Sequence, residues 1–331
     1  MNLILKNREL ALALIVGVMI IGIGFYAPAF VSPDNLAYVL DDTSILFMMA
    51  LAQMMVILTR GIDLSVASNL ALSGMISASL AQNYPELPVI AYIGLGVLCG
   101  TVLGVFNGSL ISYLGIPPIA MTLGTLAAYR GMIVVYGGGN QVNSSEMGDI
   151  FQNFPKTPVL GVTATFWIMV ILAIAIWIFL NQTRTGRGLY AVGGNPVAAR
   201  YCGVDLSRQQ FLVYVLSGAI AGLCGYLWVA RYGVAYSEIA SGFELTIIAA
   251  CVIGGVSIAG GVGSVVGTLL GALFFGVIVN ALPVMQITPF WQMAISGAVI
   301  LAAVIVNARS ERQAGKLILP EARRAAAGQQ S

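Results

Sequence analysis

The sequence predicts an all-α integral membrane protein of about ten transmembrane helices with an inverted internal repeat. Three observations carry that expectation. Of 331 residues, 59% are hydrophobic and 8% charged, where soluble domains carry roughly 25% charged residues. Apolar runs recur along nearly the whole chain, many close to the ~20 residues that cross a bilayer as a helix. The runs are continuous rather than alternating, which argues against a membrane β-barrel.

The runs lie at 10–30, 43–59, 64–81, 89–111, 117–136, 160–180, 210–230, 245–259, 264–282 and 289–306. The first follows Lys6 and Arg8. It exceeds the ~7–15 apolar residues of a cleaved signal, so it reads as a permanent span. The run at 245–259 is short enough to be broken or re-entrant. The whole of 1–331 forms one membrane domain, with halves at 10–136 and 160–306, a loop at 181–209 and a polar tail at 307–331.

Alternating the spans from a cytoplasmic N-terminus places Arg60, Arg184, Arg187, Arg200, Arg208 and the C-terminal basic residues inside. Asp34, Asp41, Asp42, Glu86, Glu146, Asp149, Glu238 and Glu244 fall outside. That asymmetry agrees with the positive-inside rule and puts both termini in the cytoplasm.

Two stretches echo each other across the halves. GIDLSVASNLALSG begins at Gly61 and GFELTIIAACVIGG at Gly242; GTVLG at 100–104 recurs as GTLLG at 267–271. The topology gives the pairs opposite orientation, an arrangement used by transporters that rock about a central path. Glycines four apart, as at Gly100/Gly104/Gly108, Gly218/Gly222 and Gly267/Gly271, let helix backbones approach closely.

Several chemistries are excluded. The chain has no histidine, and Cys99, Cys202, Cys224 and Cys251 have no metal or redox spacing. A net charge of +2 without a basic stripe excludes a nucleic-acid partner. The glycine-rich 260–268 lacks the Gly-Lys-Ser/Thr of a phosphate loop, so the chain is expected to bind no nucleotide and no other cofactor.

Charge inside the spans is scarce. Asp63 stands at a span entrance and Arg130 within a span, where it either snorkels outwards or lines a path. Gln53, Asn69, Asn107, Thr122 and Asn280 add uncharged polar groups, as do Thr125 and Gln292. The candidate path is therefore Gln53, Asp63, Asn69, Asn107, Thr122, Arg130 and Asn280. Such a set suits a neutral, hydroxyl-rich solute better than an ion, whose coupling needs a deep ionisable group.

GGNPVAARYCGV at 193–204 stands apart as a bounded short helix: Asn195 caps it, Pro196 takes its first position and Gly203 ends it. It lies in the longest cytoplasmic loop.

ILTRGIDLSVASNLALSGM (57–75), PPIAMTLGTLAAYRG (117–131), GGNPVAARYCGV and GGVSIAGGVGSVVGTLLGA (254–272) resemble, in order, the ribose-type permease subunits of bacterial ABC sugar importers. The chain departs from the usual pattern at Arg60, often a small residue, and at Ala67, often Gly. The resemblance implies a multi-pass inner-membrane subunit without catalytic residues, moving a monosaccharide of the ribose, xylose or rhamnose class. It implies three protein partners: a cytoplasmic ATPase that uses the ATP, a second permease subunit (identical or paralogous) and a periplasmic sugar-binding protein. Coupling to the ATPase then falls to Gly193, Gly194, Asn195, Pro196, Ala199, Arg200 and Gly203. The rival expectation is an ion-coupled sugar carrier with inverted repeats.

Overall fold

Apolar stretches bounded by proline, serine, asparagine and glycine become the helices of the computed structural model, which describes residues 8–288 and a few isolated positions from 291 to 301. The helices are α1 (Arg8–Tyr26), α2 (Pro33–Leu58), α3 (Val66–Asn83), α4 (Val89–Ser112), α5 (Pro118–Gly137) and α6 (Asp149–Lys156). There follow α7 (Ala164–Gln182), α8 (Arg184–Gly194), α9 (Pro196–Tyr201), α10 (Leu206–Tyr232), α11 (Phe243–Ile253) and α12 (Val265–Val284). Caps explain several boundaries. Ser32 accepts from the Asn35 N–H and Pro33 opens α2; Asp205 accepts from the Arg208 N–H; Gly233, at φ 70°, ends α10.

Among the described residues seven helices are long and apolar enough to cross a membrane: α1, α2, α4, α5, α7, α10 and α12. Two of the expected ten spans differ. The 64–81 run becomes α3, which has 18 residues but carries Ser68, Asn69, Ser73 and Ser77 among its buried positions. The 245–259 run becomes α11, only 11 residues. At 1.5 Å per residue it covers about 16 Å, half of a ~30 Å hydrocarbon core. The glycine-rich return that follows, through Gly254–Gly255 and Gly260–Gly261, lies against Leu58, Arg60 and Gly193, so the run reaches the end of the bundle opposite Phe243 before the chain turns into α12. The expected span at 289–306 and the tail at 307–331 lie outside the described residues, as does Gln292. The 43–59 run was too short: α2 starts ten residues earlier, because Asp34, Asp41 and Asp42 interrupt its hydropathy without interrupting its helix.

α2 is the central element, with 89% of its apolar window buried, whereas α4 and α5 are 22% buried and turn wide apolar faces outwards. Against α2 and α3 lies α10, which packs antiparallel on α4 through glycine. A side chain on Gly100 would overlap the Gly218 carbonyl oxygen, and one on Gly222 would overlap that of Gly96. The predicted glycine spacing is thus a backbone-to-backbone seam, extended to α3 through Gly74 and Gly225.

The helix ends sort by charge. One end carries Arg60, α8, α9 and the start of α10; the other carries Asp41, Asp42, Glu86, Glu146 and α6. At this acidic end, β1 (Val142–Asn143) pairs antiparallel with β4 (Val234–Ala235), and β2 (Pro158–Val159) with β3 (Val162–Thr163).

The echoed stretches occupy different local structures. Gly74 sits inside α3 against Gly225, whereas Gly255 lies beyond the end of α11 at φ 89°. GTVLG packs α4 on α10, and GTLLG packs α12 on α11 through Gly254.

Gly100→Val should therefore wedge α4 off α10 and destabilise the fold by at least ~2 kcal/mol. A thermal melt in detergent would register this as a large drop in Tm, whereas Gly94→Val, with open space at its Cβ, should melt like the wild type.

Candidate functional site: the elbow at the basic end

α8 starts on Thr183, whose Oγ1 accepts from the Gly186 N–H at 2.9 Å. It ends at Gly193–Gly194, and the chain turns at Asn195 into α9. Asn195 Oδ1 accepts from the Ala198 N–H at 3.1 Å, and Pro196 occupies the first turn. At the far end the Gly203 N–H donates to the Arg200 carbonyl and the Val204 N–H to that of Ala199, both 3.0 Å, with Gly203 at φ 80°. Every terminus of this six-residue helix is thus satisfied from within. Within α9 only Ala199 is buried, while Val197 and Tyr201 are 65% and 89% exposed and Arg200 also faces outwards. An apolar and a basic group presented together on a stiff element form a surface built for contact.

The elbow is fixed to the bundle by backbone. A side chain on Gly193 would overlap the Leu58 carbonyl oxygen and the Gly261 N–H, and that N–H donates to the same Leu58 carbonyl at 3.0 Å. Tyr190 donates to the Gly263 carbonyl at 3.2 Å. The ends of α2 and α8 and the return after α11 therefore meet at one point.

Arg60 locks that point. Its Nε donates to the Gly193 carbonyl at 2.7 Å and its Nη2 to the Gly194 carbonyl at 3.1 Å. Both carbonyls belong to the C-terminal end of α8, where the helix dipole favours a cation. Arg60 holds φ 66°, a left-handed conformation that costs a side-chain-bearing residue ~1–2 kcal/mol. Charge-assisted bonds of ~1.5–3 kcal/mol each offset that cost. The residue singled out in the sequence as a departure is the clamp.

From Arg60 the chain enters a buried polar network. The Gln53 amide pairs with the Asp63 backbone, accepting from its N–H at 3.1 Å and donating to its carbonyl at 3.2 Å. Asp63 Oδ1 accepts from the Ser65 N–H at 2.9 Å and from the Ser65 hydroxyl at 2.6 Å. Asn107 donates to Ser65 Oγ at 2.8 Å, and the Tyr129 hydroxyl reaches Asn107 Oδ1 at 3.2 Å. Thr122 donates to the Ile62 carbonyl at 3.1 Å, and Asn69 to the Gly100 carbonyl at 3.1 Å.

Five candidate path residues, Gln53, Asp63, Asn69, Asn107 and Thr122, thus come together around the 59–65 loop. None is more than 5% exposed. Their polar groups bond Ser65 and backbone: Gln53, Asn107 and Thr122 fix the loop to α2, α4 and α5, and Asn69 ties α3 to α4.

The other two lie at the acidic end. The Arg130 Nη1 donates to the Ser237 and Ile239 carbonyls at 2.7 and 2.6 Å, tying α5 to the chain before α11. Asn280 donates to Asp42 at 3.1 Å. α8, Ser65 and Tyr129 were missed in the sequence. Thr183 is a legible cap for α8, but the partners of Ser65 and Tyr129 lie 42 and 22 residues away.

Arg60→Ala keeps the strained backbone and loses both bonds to the elbow. Amide hydrogen exchange across 191–204 should accelerate about tenfold or more, as expected for ~1.4 kcal/mol of lost local stability, while exchange in α4 stays unchanged.

Residues 35–304 match the family described as "Branched-chain amino acid transport system / permease component". The chain is 37% identical over 309 residues to the ribose import permease protein of Escherichia coli strain K12, covering 93% of this chain and 95% of the relative. It is 36% identical over 278 residues to the D-allose transport system permease protein of the same organism, with 84% of each chain covered. The autoinducer 2 import system permease protein of Klebsiella pneumoniae is 34% identical over 309 residues, 93% of this chain and 89% of the relative. No solved structure matches the chain. The chain belongs to this family of transport-system permease components, alongside the ribose-type permeases of ABC sugar importers.

Proposed function

We propose that this chain is one of two membrane subunits of an ATP-driven importer that carries a monosaccharide into the cytoplasm by alternating access, with α9 as the handle moved by a separate ATPase. The observation that carries this reading is the elbow: a rigidly capped short helix, exposed on one face and joined to the bundle core by backbone and Arg60. The positive-inside rule makes the basic end cytoplasmic, with both termini on that side. The acidic end, with α6 and the 231–244 segment, then faces the binding protein that delivers the sugar.

Motion has a direct route. A push on α9 moves Gly193–Gly194, Arg60 transfers it to the 59–65 loop, and the buried network distributes it to α3, α4 and α5. Moving a two-state equilibrium from 1:99 to 99:1 takes about 5.5 kcal/mol. The sequence carries no phosphate loop, so ATP on the partner supplies that free energy. In this assignment Gly193, Gly194, Asn195, Pro196 and Gly203 shape the handle, Ala199 anchors it and Arg200 meets the ATPase. The second membrane subunit is a copy or a paralogue, and the wide apolar faces of α4 and α5 meet it or lipid. Relatives named for ribose and D-allose support a monosaccharide as cargo.

Arg200→Glu reverses an exposed charge on α9 without touching the core. ATP-driven uptake in proteoliposomes should fall at least tenfold and ATPase co-purification weaken, with the melting temperature of the permease unchanged. Normal uptake and assembly by this variant would sink the coupling role; uptake by the chain alone, driven by an ion gradient, would favour the carrier instead.

A further inference from the structure

The acidic end contains a cleft that the coupling route does not use. It opens between α2, α10, α11 and α12 and has a volume of about 220 Å³. At ~30 Å³ per water it holds about seven waters, the displacement of one small sugar ring. All four helices reach it within a few turns of their acidic-end termini, through Asp42, Trp228, Tyr232, Phe243, Thr246 and Asn280.

The lining is largely apolar, including Ile45, Leu46 and Val279, and two of its walls are chemically distinct. One is aromatic: the Trp228 ring lies 5.1 Å from that of Tyr232 and 5.2 Å from that of Phe243, centroid to centroid. The other is an array of fixed acceptors. Asp42 Oδ1 takes bonds from Arg231 at 3.3 Å and the Tyr232 hydroxyl at 3.1 Å, and Oδ2 takes one from Asn280 Nδ2 at 3.1 Å. A carboxylate offers about four lone-pair sites, so one remains. Asn280 Nδ2 is also held by the Gly276 carbonyl at 2.9 Å, which fixes the amide. Among the described residues no donor bonds its Oδ1.

A ligand that fits must bring its own hydroxyl donors on one side and a C–H face on the other. Asp41 and Asp42 share the Arg231 guanidinium, which holds the carboxylates in place as acceptors for a hydroxyl. A polyol ring satisfies both walls. We infer that this cleft is a monosaccharide-binding subsite at the outer mouth of the permease, where the acceptors of Asp42 and Asn280 and the Trp228–Tyr232–Phe243 wall receive the sugar from its carrier. The inference rests on the sugar-importer reading above. It gives the membrane subunit its own checkpoint on cargo, in addition to that of the binding protein.

The test uses the assembled importer, with ATPase and binding protein, in proteoliposomes, and labelled D-ribose, D-xylose, D-allose and L-rhamnose. The sugar carried by the wild type is the probe for two variants. Asn280→Leu removes both the amide and one Asp42 partner; Thr246→Val is nearly isosteric, and among the described residues the Thr246 hydroxyl bonds no partner. The expected result is a loss of uptake of tenfold or more for Asn280→Leu and about threefold for Thr246→Val. In Thr246→Cys the same sugar, and not an uncarried one from the panel, should slow labelling by an impermeant maleimide added outside. Wild-type uptake by Thr246→Val together with unprotected labelling of Thr246→Cys overturns the subsite while leaving the importer intact. Wild-type importer that carries none of the four sugars overturns the parent reading and this one with it.

Discussion

The absence of a side chain at Gly193 is the constraint on which the rest of the molecule depends. There three separated segments touch through main chain: the last turn of α2, the α8–α9 elbow and the return after α11. Packed backbone cannot slide by swapping rotamers, so what moves one segment moves all three. Arg60 adds a charged tie across the same junction and accepts left-handed strain to reach it. The result is a joint that resists shear at the place where a soluble surface meets a membrane bundle.

Polar groups inside the bundle follow the same logic. In hydrocarbon an unpaired amide or hydroxyl costs several kcal/mol, and many of the bundle's buried polar side chains are matched, though among the described residues Ser112, Tyr214 and Ser217 bond no partner. Around the 59–65 loop the partners are protein: Asp63 with Ser65, Asn107 with Tyr129, Thr122 with Ile62. The glycine seam between α4 and α10 brings the surrounding helices close enough for these short side chains to meet. Tight packing and polar pairing are therefore two aspects of one arrangement.

The broad architecture was legible because hydropathy and cap chemistry are local. Continuous apolar runs located most spans, and Asn195, Pro196 and Gly203 outlined α9 to the residue. What escaped depends on distant neighbours. α11 has the composition of a span, yet its helix stops after 11 residues and the chain reaches the basic end as a glycine-rich non-helical segment, which only the packing of Gly254 on Gly267 and of Gly261 on Gly193 makes plain. The polar residues of the bundle were legible as a group, but whether each faces a wet route or a partner is fixed by contacts from 22 to 60 residues away. Arg60 was visible only as an oddity, since its purpose lies 133 residues further along.

The burial of α2 also bears on how the protein is made. Synthesis delivers α2 early, carrying Asp41 and Asp42, whereas Arg231 and Asn280 arrive some 190 and 240 residues later. Until then the helix has neither its ionic partner nor its packing shell, and its modest apolarity leaves it weakly held by lipid. Its packing shell closes only when α10 and α12 have emerged.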